Sequence, residues 1–167
     1  LVGLAFKISA FPFHMWTPDV YEGAPTSVTA FFAIVPKVAA MALIFRFCLE
    51  PFAEFYNEWN KIIIFLSIGS MYLGAISAIS QNNIKRLLAY SSIGHVGYIL
   101  IGLVSANLAG IKGAVIYIFI YVIMNIGIFS ILLSIKNKNG YIEKISDLSG
   151  LSKSKPIFSA SIAIIML

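Results

Sequence analysis

Three stretches of this sequence carry no Asp, Glu, Lys or Arg over the length of a membrane-spanning helix. They are residues 62–80, 87–106 and 113–135. An α-helix needs about 20 apolar residues to cross the hydrocarbon of a bilayer, and it satisfies its own backbone hydrogen bonds there. Only 11% of the residues are charged, against about 25% in ordinary soluble domains. The sequence therefore predicts an all-α fold, a polytopic transmembrane helical bundle.

Proline marks a discontinuity in the first span. Pro12 removes a backbone donor from the apolar run before it, which predicts a discontinuous, proline-broken helix followed by a polar, proline-rich segment at 13–27. The residues 50–61 are predicted to form a loop. The predicted spans are 1–11 (broken at Pro12), 28–49, 62–80, 87–106, 113–135 and 156–167. Both chain ends lie in apolar runs, so we interpret 1–167 as an internal fragment of one transmembrane domain whose last span is truncated.

The positive charge of the chain predicts its orientation in the membrane and does not indicate a nucleic-acid partner. The net charge is +5, but the basic residues lie mostly between apolar windows, where short Lys- and Arg-rich loops stay on the cytoplasmic or matrix side. One side of the bundle would hold Lys85, Arg86, Lys136, Lys138, Lys144, Lys153 and Lys155, together with the segment 13–27. The other side would hold Lys61 and Lys112, with Arg46 near a helix end.

The sequence offers no site for a tightly bound cofactor or metal. Its single cysteine, Cys48, excludes an internal disulfide. It contains no Cys/His cluster with the spacing of an iron–sulfur or zinc site, and no glycine-rich phosphate loop. We therefore expect no metal or cofactor to be bound by this chain.

Three basic side chains lie in the interior of predicted spans, away from their ends. Lys37 and His95 lie near the middle of theirs, and Lys7 lies about a turn and a half before Pro12. A lysine at the centre of a spanning helix costs on the order of 3 kcal/mol on insertion scales, and such groups usually face a bundle interior or a hydrated cavity. Burial favours the neutral form of lysine and histidine. Each of the three is therefore a candidate for a proton relay.

Structural interpretations of the same residues stay open. Lys37 and Lys7 can each be structural cations paired with an acid on another helix, and His95 can simply hydrogen-bond a neighbouring helix. The hydroxyl and amide side chains of two successive spans can either carry bound water or make interhelical contacts. These side chains are Tyr90, Ser91, Ser92, Tyr98, Tyr117, Tyr121 and Asn125.

Two long motifs carry a family resemblance. Residues 6–25, with Phe-Lys-Ile-Ser followed by Pro-Phe-His-Met-Trp-Thr-Pro-Asp-Val-Tyr-Glu-Gly-Ala-Pro, and residues 83–98, Asn-Ile-Lys-Arg-Leu-Leu-Ala-Tyr-Ser-Ser-Ile-Gly-His-Val-Gly-Tyr, are the most specific. They resemble the antiporter-like membrane subunits of respiratory complex I. Within that family the chain is most similar to subunit N of NADH-quinone oxidoreductase, called subunit 2 in mitochondria.

The resemblance implies roles for the buried groups. Lys7 looks like the channel lysine of the family's broken helix, Lys37 like its central connecting lysine, and His95 like a histidine of the same motif. The acid that pairs with the first lysine and the lysine on the exit side would lie on other helices. His14 and Asp19 belong to the motif without a firm role.

The resemblance also implies function and partners. The chain would be a proton-translocating membrane-arm subunit of an NADH:quinone oxidoreductase, with no redox chemistry of its own. NADH, FMN, iron–sulfur clusters and quinone would be bound by partner subunits. We expect it in the bilayer of a bacterial inner (plasma) membrane or a mitochondrial inner membrane, in contact with other membrane-arm subunits. The alternatives are a subunit of a multi-subunit cation/proton antiporter and a scaffold subunit of the same complex that does not pump.

Overall fold

The four long helices of this chain each extend over more residues than the apolar window that predicted them. A computed structural model describes residues 1–137, 140–141 and 143–166. The described part contains α1 (Val2–Ile8), α2 (Trp16–Gly23), α3 (Thr26–Leu49), α4 (Tyr56–Ile79), α5 (Ile84–Val104), α6 (Leu108–Ser134), α7 (Leu151–Ser154) and α8 (Pro156–Met166). Short 3₁₀ turns lie at Ala53–Phe55 and Ile145–Leu148, and two-residue strands β1 (Lys136–Asn137) and β2 (Gly140–Tyr141) pair antiparallel.

Four helical stretches are long and apolar enough to cross a membrane. They are α3, the stretch Ala53–Ile79 that includes α4, and the helices α5 and α6. Many of their large apolar side chains are exposed on the outside of the bundle, as Phe65 on α4 and Phe119 on α6 are. The predicted class, an all-α polytopic transmembrane bundle, is confirmed.

The first helix ends before the proline that was expected to break it. α1 stops at Ile8, and Ser9 takes the left-handed conformation with φ 64°. The N–H of Ala10 then donates to the carbonyl of Ala5, five residues earlier, at 2.9 Å, which is the 6→1 hydrogen bond of a Schellman helix ending. The helix is thus closed by this local hydrogen bond, and Pro12 lies in the connection beyond it.

The segment 13–27, for which the sequence indicated no helix, contains α2. Backbone and side-chain hydrogen bonds hold the connection before it. The N–H of Phe11 donates to Ser70 Oγ of α4 at 2.8 Å, and the indole N–H of Trp16 donates to the carbonyl of Phe6 at 3.0 Å. The break between α1 and α2 therefore has a defined geometry.

Polar residues extend three helices beyond the predicted windows. Asn83 and Asn107 cap α5 and α6, each accepting backbone N–H groups of the first turn. α4 begins at Tyr56 rather than near residue 62, because the buried Trp59 anchors its first turn by donating to the carbonyl of Phe52 at 2.9 Å. Glu58 and Lys61, expected in a loop, consequently lie on this helix.

α4 and α5 form the most extensive helix pair of the bundle. They approach closely at two glycines. A Cβ on Gly74 would lie 2.6 Å from the backbone nitrogen of Gly94, and one on Gly97 would lie 2.8 Å from the carbonyl oxygen of Ser67. Such small residues allow helix backbones to approach each other inside a membrane.

The loop after β2 docks on the start of α5. The N–H of Ile84 donates to the carbonyl of Glu143, and the N–H of Ile145 donates to the carbonyl of Asn82, both at 2.9 Å. The turn with Lys85 and Arg86 therefore shares one end of the bundle with the loop that carries Lys144, Lys153 and Lys155. Lys138 lies outside the described residues.

Candidate functional site

Polar side chains in the middle of three helices separate two apolar clusters. One cluster contains Met41 of α3, Val96 of α5 and Ala114 of α6. The other contains Ala33 of α3 and Phe129 of α6, with Ala89 of α5. Between the two clusters lies what we call the polar layer. It consists of Lys37, Ser92, His95, Tyr117, Tyr121 and Asn125.

Lys37 is the buried cation of this layer. It lies eleven residues after Thr26, which is about 16 Å along the helix axis, and only 3% of it is exposed. Its Nζ donates a hydrogen bond of 2.6 Å to Ser92 Oγ, and the Ser92 hydroxyl donates in turn to the carbonyl of Ala89 at 2.7 Å. Within the part of the chain that the structure describes, no carboxylate forms an ion pair with Lys37.

Tyr21 of α2 covers the same ammonium. The Nζ of Lys37 lies 5.4 Å from the centre of the Tyr21 ring, within the range of a cation–π contact. Tyr21 is fully buried, and its hydroxyl lies near Ser92. Because the chain's own residues cover this hydroxyl, a segment packed on the outside of the bundle does not reach it.

His95 is paired with the next helix. It lies eleven residues after Ile84, as deep in α5 as Lys37 lies in α3. Its Nδ1 and the Tyr117 hydroxyl share a hydrogen bond of 2.9 Å, and its ring centre lies 5.3 Å from that of Tyr121. His95 is half-buried.

Tyr121 connects the surroundings of Lys37 with those of His95. It lines a small pocket beside Lys37 and also a cavity of about 140 Å³ that contains Ser92, His95 and Asn125 in its wall. A water molecule needs roughly 10–15 Å³ of such volume and two to four polar partners. The cavity therefore has room and hydrogen-bonding groups for several waters beside His95.

Lys7 is not brought into the polar layer. It lies in the last turn of α1 with an exposed side chain, and it forms no hydrogen bond or ion pair with the described residues. Of the three predicted site residues, Lys37 and His95 thus lie in the polar layer, and Lys7 lies on an outer face.

Charged residues at the basic end fix α2 on α5. Arg86 Nη1 contacts Asp19 at 2.7 Å and Glu22 at 2.8 Å, and Asn83 donates to the second carboxylate oxygen of Glu22. The buried Lys85 ammonium donates to the carbonyls of Glu22 and Ala24, where the C-terminal end of α2 concentrates partial negative charge. These contacts hold the helix that carries Tyr21.

Sequence reasoning did not find two parts of the site. Tyr21 was not selected because 13–27 showed no helical pattern, and the contact of Ser92 with Lys37 was not distinguished from those of its neighbours. Tyr98 is 53% exposed and lies outside the polar layer. The described residues contain no group of three His, Cys, Asp or Glu side chains that could hold a metal ion.

Comparison with known proteins identifies the family. The model of the family described as "NADH:quinone oxidoreductase/Mrp antiporter, TM" matches residues 1–167. The chain is 59% identical over 166 residues to NADH-quinone oxidoreductase subunit N of Pelagibacter ubique and 57% identical over 166 residues to that of Parvibaculum lavamentivorans. The matched region includes 99% of this chain and 35% and 34% of the two relatives, so the chain spans about a third of their length.

Solved structures agree with this assignment. A chain of respiratory complex I from Thermus thermophilus with bound aureothin has a TM-score of 0.82 and 34% identity, with 99% of this chain and 35% of that chain covered. A chain of the Mrp complex from Dietzia sp. has a TM-score of 0.88 and 22% identity, with 98% and 30% covered, and supports the fold alone. The resemblance inferred from residues 6–25 and 83–98 is confirmed, and the chain belongs to the NADH:quinone oxidoreductase/Mrp antiporter transmembrane family.

Proposed function

We propose that this chain forms part of the proton path of a membrane-arm subunit in a proton-translocating NADH:quinone oxidoreductase. Lys37 would be the central relay and His95 the next proton carrier or water organiser. Lys7 would be the uptake group on the broken helix. The chain performs no redox chemistry in this proposal; NADH, FMN, iron–sulfur clusters and quinone are bound by partner subunits.

One observation carries the proposal most strongly, namely the burial of Lys37 without a carboxylate. It is 3% exposed and contacts a serine hydroxyl and an aromatic ring. A structural cation in a membrane interior is normally paired, because an unpaired buried charge is costly. A lysine that alternates between its charged and neutral forms avoids a permanent cost of this kind. The lack of an acid among the described residues thus favours a relay over a structural ion pair.

The surroundings of Lys37 indicate the direction in which its proton would move. The small pocket beside Lys37 and the cavity that contains His95 share Tyr121 as a wall. The imidazole of His95 has two ring nitrogens, one of which can accept a proton while the other donates a hydrogen bond. The polar layer therefore supports movement of a proton along the plane of the membrane, from α3 towards α6 and α8.

Lys7 has a different place in the proposal. Its exposed side chain faces away from the described bundle, so the acid that sets its charge would belong to a segment that packs over α1. The irregular backbone after Ile8 offers polar groups beside it, as broken helices do in transporters. We propose a multi-pass location in a bacterial inner membrane or a mitochondrial inner membrane, in contact with lipid and with other membrane-arm subunits.

The proposal is tested with Lys37→Met in the full-length subunit, assembled in the complex and studied in membrane vesicles. Proton pumping and NADH oxidation are measured together, and Lys61→Met, an exposed lysine on α4, is the control. We expect Lys37→Met to lower the number of protons pumped per NADH while Lys61→Met leaves it unchanged. If both variants pump as wild type with intact assembly, Lys37 is structural and the chain is a scaffold.

The second candidate is a cation/proton antiporter subunit, because the family that matches the whole chain includes both kinds of protein. Vesicles that contain the subunit but lack an NADH-oxidising module discriminate between them. Sodium-dependent proton flux in those vesicles would favour the antiporter, and its absence favours the redox-driven pump.

A further inference from the structure

We propose that Ser92 is a positioning residue that serves both protonation states of Lys37 by reversing the direction of its hydroxyl hydrogen bond. The inference rests on the proposed function, since it requires Lys37 to lose and regain a proton. It concerns how one side chain can hold a lysine whose hydrogen-bonding needs change.

The two contacts of Ser92 fit the hydrogen-bond pattern that a charged Lys37 requires. An ammonium group has three donors and no acceptor, so the 2.6 Å contact is a bond from Lys37 Nζ to Ser92 Oγ. The Ser92 hydrogen is directed to the carbonyl of Ala89, at 2.7 Å, one turn earlier in α5. The aromatic face of Tyr21 attracts the same positive charge.

Loss of the proton changes what Lys37 needs. A neutral amine has a lone pair, which requires a donor in a buried site. Ser92 can supply it by rotation of its hydroxyl hydrogen from Ala89 towards Nζ, with no change in the position of either heavy atom. The Ala89 carbonyl lies within α5 and keeps the backbone partner that the helix provides.

The other groups near Lys37 do not offer this reversal. The ring face of Tyr21 favours positive charge only. The hydroxyl of Tyr121 donates its one hydrogen to the carbonyl of Ala33 at 3.0 Å. Ser92 is the hydroxyl in direct hydrogen-bond contact with Nζ in the described structure.

Ser92 is neutral before and after the step. The proton that leaves Nζ passes to water, for which the cavity beyond Ser92, lined also by Tyr121 and His95, has room, and it is returned to Nζ from the uptake side. The serine keeps one hydrogen throughout and only changes the acceptor to which that hydrogen points. It therefore acts through Lys37 and is neither the acid nor the base.

Three variants of the full-length subunit in the assembled complex separate this role from simple support of a buried cation. Ser92→Thr keeps a hydroxyl, Ser92→Ala removes it, and Ser92→Asp leaves an ionised acceptor that holds the ammonium but does not donate to a neutral amine. The control is Ser67→Ala, because Ser67 is equally buried at 2% exposure and bonds to the carbonyl of Gly97 at 2.7 Å. Assembly and protons pumped per NADH are measured for each.

We expect Ser92→Asp to assemble as wild type and to lower pumping per NADH as far as Lys37→Met does. Ser92→Thr should retain more than half of wild-type pumping, and Ser67→Ala should leave pumping unchanged. The proposal is overturned if assembled Ser92→Asp or assembled Ser92→Ala pumps as wild type while Lys37→Met does not. If Lys37→Met itself pumps normally, the proposed function fails first, which is a different result.

Discussion

Tyr21 and Glu22 are neighbours in α2, yet they lie in opposite environments. The ring of Tyr21 is fully buried, 5.4 Å from the Lys37 ammonium, and the carboxylate of Glu22 contacts Arg86 at 2.8 Å at the basic end of the bundle. Since α2 is a single short helix, a shift of Glu22 along its axis also shifts Tyr21. The charge cluster at the surface is thereby connected to the polar layer through one peptide unit.

Removal of Arg86 should disturb this connection. Arg86→Met leaves Asp19 and Glu22 without their shared cation, and exposed pairs of this kind contribute about 0.2–1 kcal/mol. We expect a small loss of stability and a measurable decrease in protons pumped per NADH. Arg46→Met is the control, because Arg46 forms an exposed pair with Glu50, the residue that follows the last turn of α3. Equal pumping by the two variants would contradict a role for the cluster in placing Tyr21.

The close contact of α4 and α5 predicts opposite effects for two glycines one turn apart. Gly97→Ala would place a Cβ 2.6 Å from Met71 Cγ and 2.8 Å from Ser67 O, whereas a Cβ on Gly94 meets nothing within 4 Å. Overpacking costs about 1–3 kcal/mol, and Ala is about 1 kcal/mol better than Gly inside a helix. SDS-induced unfolding of the purified subunit should therefore show Gly97→Ala destabilised and Gly94→Ala unchanged or stabilised. Equal destabilisation of both would argue against this packing.

Loss of the hydroxyl of Tyr117 should impair the use of His95. Tyr117→Phe removes the 2.9 Å partner of His95 Nδ1 and keeps the aromatic ring. We expect fewer protons pumped per NADH, because an imidazole without this partner is free to turn and changes tautomer more readily. Tyr98→Phe is the matched control, since its exposed ring lies 6.1 Å from that of Tyr117. A normal ratio in Tyr117→Phe would show that this hydrogen bond is dispensable.

Ser70 is predicted to stabilise the break between α1 and α2. Ser70→Ala leaves the backbone N–H of Phe11 without its acceptor at 2.8 Å, and an unsatisfied buried donor costs about 1–3 kcal/mol. We expect SDS-induced unfolding to begin at lower detergent fraction than in wild type. Ser80→Ala, which removes an exposed hydroxyl that bonds within its own turn, should have no effect. The role assigned to Ser70 is wrong if the two variants unfold alike.

The sequence predicted most of the bundle because long uncharged windows have few alternatives in a membrane. It also located Lys37 and His95, since depth in a helix follows from residue count. Helix starts were less predictable. The first turns of α4, α5 and α6 depend on caps and on single anchors such as Trp59, whose polar neighbours resemble a loop in composition.

The contacts of the site were beyond the sequence for a physical reason. Ser91 and Ser92 are chemically identical, and the rotation of α5 about its axis, set mainly by packing against α4 and α6, decides which of them faces Lys37. Tyr21 was hidden because the direction of the chain after Ser9 depends on a hydrogen bond to α4, which is distant in sequence. Site residues were predictable where their depth along a helix identifies them, and they were not predictable where the rotation of a helix decides which side chain faces the site.

The polar layer lies between two apolar clusters, and such clusters are electrical insulators. In an energised membrane the voltage falls across regions of low polarisability, so part of it falls on either side of Lys37. One elementary charge that crosses 100 mV changes its energy by about 2.3 kcal/mol. A charge placed on Lys37, about halfway through the bundle, therefore experiences about 1 kcal/mol of that energy. The membrane voltage that a pump builds up thus acts directly on the lysine that would help to build it.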